Sequence, residues 1–288
     1  MSAIYKRELR SYFSSMIGYV FIAVIMVFVG LFFTAVNLRS GAPYFSYAMI
    51  NMIIIFVIAV PILTMKCMAE ERKSKTDQML LTYPVKVSSI IIGKFFAMMT
   101  VYAIPLLISC ICPIIINAGG NGSLVVDYTT IFAFLCMGFM FVSIGMFVSS
   151  LTESQIIAAV GTMGMLMLVY FWPNLISFIP ATAFASFIGL IAIAAVVLLI
   201  LYHVTKSPLI TIIVGVICVA ALVVTYLVNS TFFASLLPNM LNTFSTNEVI
   251  RNFANYAVFD FQGLLKYLSI AALFIFLTIQ TVQKRRWS

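Results

Sequence analysis

Ile17-Gly18-Tyr19-Val20-Phe21-Ile22-Ala23-Val24-Ile25-Met26-Val27-Phe28-Val29-Gly30-Leu31-Phe32-Phe33-Thr34-Ala35-Val36 carries no charged side chain along its whole length. A helix needs about 20 such residues to cross a hydrocarbon core of about 30 Å. In lipid the backbone must satisfy its own polar groups, and a single continuous segment does so only as a helix. Comparable runs recur at about 47–65, 91–116, 129–150, 156–172, 188–204, 209–228 and 265–283. These runs predict an all-α polytopic membrane protein with about eight transmembrane helices. The fifth and sixth runs are short, and Trp172-Pro173 and Pro180 lie between them, so six spans with an interfacial hairpin is the alternative.

Composition agrees with that reading. The 288-residue chain is 64% hydrophobic and 8% charged, against about 45–50% and about 25% in a soluble domain. A soluble enzyme lacks the polar surface it would need, and disorder has the opposite signature. The charges are 16 Lys+Arg against 8 Asp+Glu, a net +8. No basic face interleaved with exposed aromatics is evident, so no nucleic-acid partner is expected. The basic excess instead suits cytoplasmic loops and anionic headgroups, making the lipid bilayer the first partner. With the N-terminus inside, thirteen of the basic residues fall on the inner side and three (Arg39, Arg251 and Lys266) outside. Both termini are therefore expected in the cytoplasm, and no cleavable signal peptide is expected. The cysteines Cys67, Cys110, Cys112, Cys136 and Cys218 have neither zinc nor redox spacing.

Three segments outside the spans stand out. Residues 1–16 read as an amphipathic helix on the membrane surface, with Tyr5, Leu9, Tyr12, Phe13 and Met16 on one arc and Lys6, Arg7 and Arg10 beside them. Residues 66–89 form the main cytoplasmic loop. Its first part extends the second span as a polar helix in which Glu71 and Lys75 have i,i+4 spacing. Met79, Leu80 and Leu81 then make an apolar knob, and Pro84 stops the helix at Tyr83. Such a knob on a charged loop calls for a partner groove. Residues 229–264, outside, are expected to form short interfacial helices rather than a separate domain.

Catalytic chemistry is sparse. The single histidine, His203, excludes a two-histidine zinc site, and Gly93-Lys94 lacks the rest of a phosphate-binding loop. No catalytic, cofactor-binding or metal residues are assigned. Lys94 lies about one turn inside the third span and can snorkel to the inner surface; Asp127, Glu153, Glu248 and Asp260 fall at span ends or in loops. Without a mid-span carboxylate or arginine, an ion-coupled carrier loses its main mechanism. Gly138, Gly145, Ala158, Gly161 and Gly164 allow close helix approach.

Several stretches resemble type 2 ABC-transporter permeases, in particular the gliding-motility and copper-maturation branch. They are Tyr5-Lys6-Arg7-Glu8-Leu9-Arg10-Ser11-Tyr12-Phe13, then Ala69-Glu70-Glu71-Arg72-Lys73 with Thr76-Asp77-Gln78-Met79-Leu80-Leu81-Thr82-Tyr83-Pro84-Val85, and Ile92-Gly93-Lys94-Phe95. Ser149-Ser150-Leu151-Thr152-Glu153-Ser154-Gln155 and the Lys284-Arg285-Arg286-Trp287 ending continue the likeness. The resemblance implies a single transmembrane permease domain over 1–288, in a bacterial plasma membrane. It implies a homodimer, or a heterodimer with another permease, and a separate ABC ATPase that holds the ATP and Mg, so that this chain is not itself an enzyme. The segment 1–16 would be the connecting helix, with Lys6, Arg7, Arg10, Tyr12 and Phe13 at the membrane surface. Glu70, Glu71, Arg72, Thr76, Leu80, Leu81, Thr82 and Pro84 would form the coupling helix that docks on the ATPase. The implied function is an ATP-driven exporter subunit. The other readings are a non-transporting scaffold or immunity-type subunit and, further off, an ion-coupled carrier or a membrane enzyme. Residues about 188–228 depart from the six-span plan as an added hairpin.

Overall fold

A computed structural model describes residues 2–75, 86–120, 122–180, 182–205, 215, 220, 224–226, 233–255 and 258–287. All the regular structure among them is helical. In chain order the helices are α1 (Ser2–Ser14), α2 (Met16–Phe32), which passes into a π-helix (Phe33–Arg39), α3 (Ser46–Thr64), α4 (Lys66–Lys73), α5 (Val87–Ser109), α6 (Ile111–Ala118), α7 (Leu124–Leu151), α8 (Gln155–Ser177), α9 (Ala183–Thr205), α10 (Leu236–Asn242), α11 (Asn247–Asn255) and α12 (Phe261–Trp287).

Six stretches among the described residues are long and apolar enough to cross a membrane: Met16–Arg39, Ser46–Lys73, Val87–Ala118, Leu124–Leu151, Gln155–Ser177 and Phe261–Lys284. This is the smaller of the two expected counts. The run expected at about 188–204 falls within α9, and the run at about 209–228 lies almost wholly outside the described residues. The chain divides into two compact units, Met1–Tyr170 with Thr246–Ser288, and Phe171–Ser245.

In the larger unit the second and fourth spans are central, 61% and 72% buried against 17–39% for the other four. Small residues explain why they approach so closely. A Cβ on Gly145 would lie 2.3 Å from Thr64 Oγ1, so α3 and α7 meet where neither carries bulk. A Cβ on Gly138 would lie 2.2 Å from the ring of Tyr102, whose hydroxyl donates to Phe134 O at 3.0 Å. Gly164, by contrast, has nothing from another part of the chain within 4 Å of its Cβ position among the described residues. Asp127, in the first turn of α7, is buried and accepts from Ser46 N at 3.0 Å, which caps α3 from a neighbouring helix. Asp260 caps α12 by accepting from Gly263 N at 2.7 Å and also holds Asn252 at 2.9 Å.

In the smaller unit Phe187 stacks on Tyr226 with ring centroids 4.6 Å apart and meets Phe233 edge-on. Trp172 Nε1 donates to Leu241 O at 2.9 Å, which ties the end of α8 to α10.

Candidate functional site

Charge is scarce in this chain, so the place where it gathers is informative. Lys94 lies in the second turn of α5 with a side chain only 2% exposed. Its ammonium reaches Glu71 of α4 at 2.7 Å, Glu8 of α1 at 3.5 Å and Cys67 O at 3.0 Å. Lys94 therefore does not snorkel to the surface. Burying an ammonium is costly unless each donor finds a partner, and Lys94 has three donors and three acceptors. Arg7 closes the cluster from the exposed side, at 2.6 Å from Glu8 and 3.3 Å from Glu71. The Glu8 hydrogen bond, with the fields of Glu8 and Glu71, holds the Arg7 pKa above its ordinary value against its partial burial. Two cations and two carboxylates thus join α1, α4 and α5.

The apolar arc of α1 explains why it sits there. It packs on α5, where Tyr5 Oη pairs with Thr100 Oγ1 at 2.9 Å. Tyr12 is buried and its hydroxyl donates to Leu63 O at 3.3 Å; burial pushes that phenol well above its ordinary pKa. Phe13 is half-buried, edge-on to Tyr19 at 5.6 Å. Lys6, Arg7 and Arg10 are exposed, whereas Met16, expected on the apolar arc, is 82% exposed.

α4 is held from its other side by α7. Ser149 places its hydroxyl where α3 passes into α4, accepting from Met68 N and Ala69 N at 3.2 Å each and bonding to Met65 O at 3.2 Å. A side chain inserted in the helical ladder is a recognised cause of a bend. Arg72 donates to Ser150 O at 3.2 Å and pairs with Glu153 at 3.1 Å, so it caps the C-terminal end of α7. Glu70 pairs with Lys66 at 3.8 Å, one helical turn away. The helix ends at Lys73, and Lys75 has a φ of 56°, so the Glu71–Lys75 spacing is not realised as helix. Replacing Ser149 with alanine is expected to leave buried backbone groups short of a partner, at about 1–3 kcal/mol. A lowered melting temperature of the detergent-solubilised protein checks this.

Of the residues proposed for coupling, Glu70, Glu71 and Arg72 therefore stand on one short helix clamped between α1, α5 and α7. Thr76, Leu80, Leu81, Thr82 and Pro84 lie outside the described residues. Sequence reasoning missed Glu8 and Ser149. The available signals were a carboxylate on the basic face of α1 and two adjacent serines at the end of a span.

Among curated proteins and among solved structures, nothing matches this chain significantly. Residues 33–228, well over half of the chain, match the family described as ABC-2 family transporter protein. The match runs from the end of the first span through α4 and Lys94 and past α9. With six apolar helices among the described residues able to cross a bilayer, the chain belongs to the ABC-2 family of transporter proteins, as a multi-pass transmembrane subunit of an ABC transporter.

Proposed function

We propose that this permease is an exporter subunit of the gliding-motility and copper-maturation branch, driven by a separate ATPase that docks on the segment following α4. Permeases of this family work with an ABC ATPase. The observation that supports the coupling part of this reading is the clamping of α4: Glu71 is bound to Lys94 and Arg7, and Arg72 to the end of α7. A push on the segment beyond Lys73 is thereby passed to the first helix and to the second, third and fourth spans together. In this reading this end of the bundle, with both termini, lies in the cytoplasm of a bacterial cell; the excess of Lys and Arg near this end supports the cytoplasmic side. Hydrolysis of ATP belongs to the partner; in this reading the chain itself is not an enzyme. The working unit is a dimer of permeases with two ATPases.

The test is the double substitution Leu80→Asp with Leu81→Asp. Carboxylates on an apolar docking knob have no partner in the groove and cost several kcal/mol to desolvate. Co-purification of the ATPase is expected to be lost while membrane insertion and the melting temperature are kept. Retention of the ATPase at wild-type stoichiometry refutes the docking assignment.

A further inference from the structure

A cleft of about 610 Å³ opens between α1 and α4, with Lys94 of α5 in its lining. Among the described residues its charged lining balances: Arg7, Lys66 and Lys94 against Glu8, Glu70 and Glu71. Most of these charges are already committed to one another at short range. The exception is the loose Lys66–Glu70 pair, 3.8 Å apart with side chains 32% and 51% exposed. Ser14 and Ser15 add hydroxyls. Ser15 immediately precedes α2 but turns its hydroxyl back to Tyr12 O at 3.3 Å, so among the described residues no side chain caps the first turn of α2. The start of that helix favours an anion.

Chain position sets the depth of the cleft. Ser14 and Ser15 stand just before the first span, and Lys66 stands just after Thr64, the last residue of α3. All three lie where apolar spans leave the hydrocarbon, at the level of the lipid headgroups. The same end of α2 begins an exposed apolar strip of Met16, Val20, Val24 and Val27, at the three- and four-residue spacing of one helix face.

We propose that this cleft binds the headgroup of a membrane phospholipid that carries a phosphate diester and a primary ammonium, with an acyl chain laid along the α2 strip. Lys66, the Ser14 hydroxyl and the first turn of α2 meet the phosphate, and Glu70 accepts from the ammonium. A lining of zero net charge suits a headgroup of zero net charge. An anionic glycerol headgroup brings no second cation to Glu70 once Lys66 turns to the phosphate, and a quaternary ammonium has no N–H to donate to it. The inference uses only the membrane-spanning character of the chain and stands apart from the coupling reading.

The experiment is native mass spectrometry of the detergent-purified permease with equal amounts of phosphatidylethanolamine, phosphatidylglycerol and phosphatidylcholine, repeated with Lys66→Gln and with Glu70→Gln. Both positions are partly exposed, and a melting curve for each variant confirms that it is folded. Wild type is expected to retain the ethanolamine lipid about tenfold over the other two, the effect of one charge-assisted contact. Each variant is expected to lose that preference. Equal retention of all three lipids, or a preference that survives both variants, overturns the proposal. So does equal thermal stabilisation by water-soluble glycerophosphoethanolamine, which would make the occupant a soluble phosphate ester.

Discussion

Gly138→Ala is expected to destabilise the permease by about 3 kcal/mol, the upper end of what overpacking a core costs. The new methyl would meet three atoms of one ring, at 2.2, 2.5 and 2.7 Å from Cε1, Cζ and Cδ1 of Tyr102. The ring has little room to yield. Tyr102 is fully buried, its hydroxyl is fixed to Phe134 O, and Phe56 and Phe21 pack against it at 5.1 and 6.3 Å. Both α5 and α7 would have to separate, and lipid supplies no hydrophobic force to press them back together. The melting temperature in mild detergent is the measurement, with Gly164→Ala as control. That site is open, so its change is expected within about 0.5 kcal/mol. Adding Tyr102→Leu to Gly138→Ala should recover part of the loss, so that in a double-mutant cycle the double variant is less destabilised than the sum of the two single variants. A Gly138→Ala protein that melts like wild type contradicts the contact.

The difference between Gly138 and Gly164 shows what sequence reading could and could not reach. Both are small residues in apolar runs, and both were expected to permit close approach. Only the fold reveals that Gly138 faces a tyrosine and that, among the described residues, nothing from another part of the chain lies within 4 Å of the Gly164 Cβ position. The spans themselves were legible, because an unbroken apolar run of sufficient length is a one-dimensional signal. The candidate site was half legible. Glu70, Glu71 and Arg72 drew attention as charges directly after a span, in a stretch similar to a known family. The partners of Glu71 and Arg72 did not, because Arg7 and Lys94 lie on other helices, Glu153 lies between α7 and α8, and no local spacing connects them. Lys94 was misjudged for a definite reason. One turn inside a span, a lysine has two ways to escape hydrocarbon: it can extend to the surface or find carboxylates nearby. The choice depends on which helices lie beside it, and here α1 and α4 bring Glu8 and Glu71 within reach.

Lys94→Leu is expected to destabilise the protein by about 3 kcal/mol, toward the lower end of the cost of breaking a buried ion pair. The cost stays low in that range because Arg7 remains to neutralise one of the two carboxylates. The more informative protein is the double variant Lys94→Leu with Glu71→Leu. It removes one charge of each sign and leaves Arg7 beside Glu8 at 2.6 Å, so the cluster stays balanced. Replacing a buried pair by apolar groups is often neutral or stabilising, and the melting temperature should return to near the wild-type value. Transport should not return with it. Without Glu71 and Lys94, α4 keeps its hold on α7 through Arg72 and Ser149 but loses its ionic tie to α1 and α5. ATP use by the complex is then expected to persist while transport falls about tenfold or more, the scale of a lost coupling free energy of 1–3 kcal/mol. Reconstitution with the ATPase, measuring melting, ATP turnover and transport in the same preparations, separates the two roles. If the balanced double variant transports at the wild-type rate, the cluster serves only to place a lysine safely in the fold, and the proposed coupling through Glu71 and Lys94 is refuted.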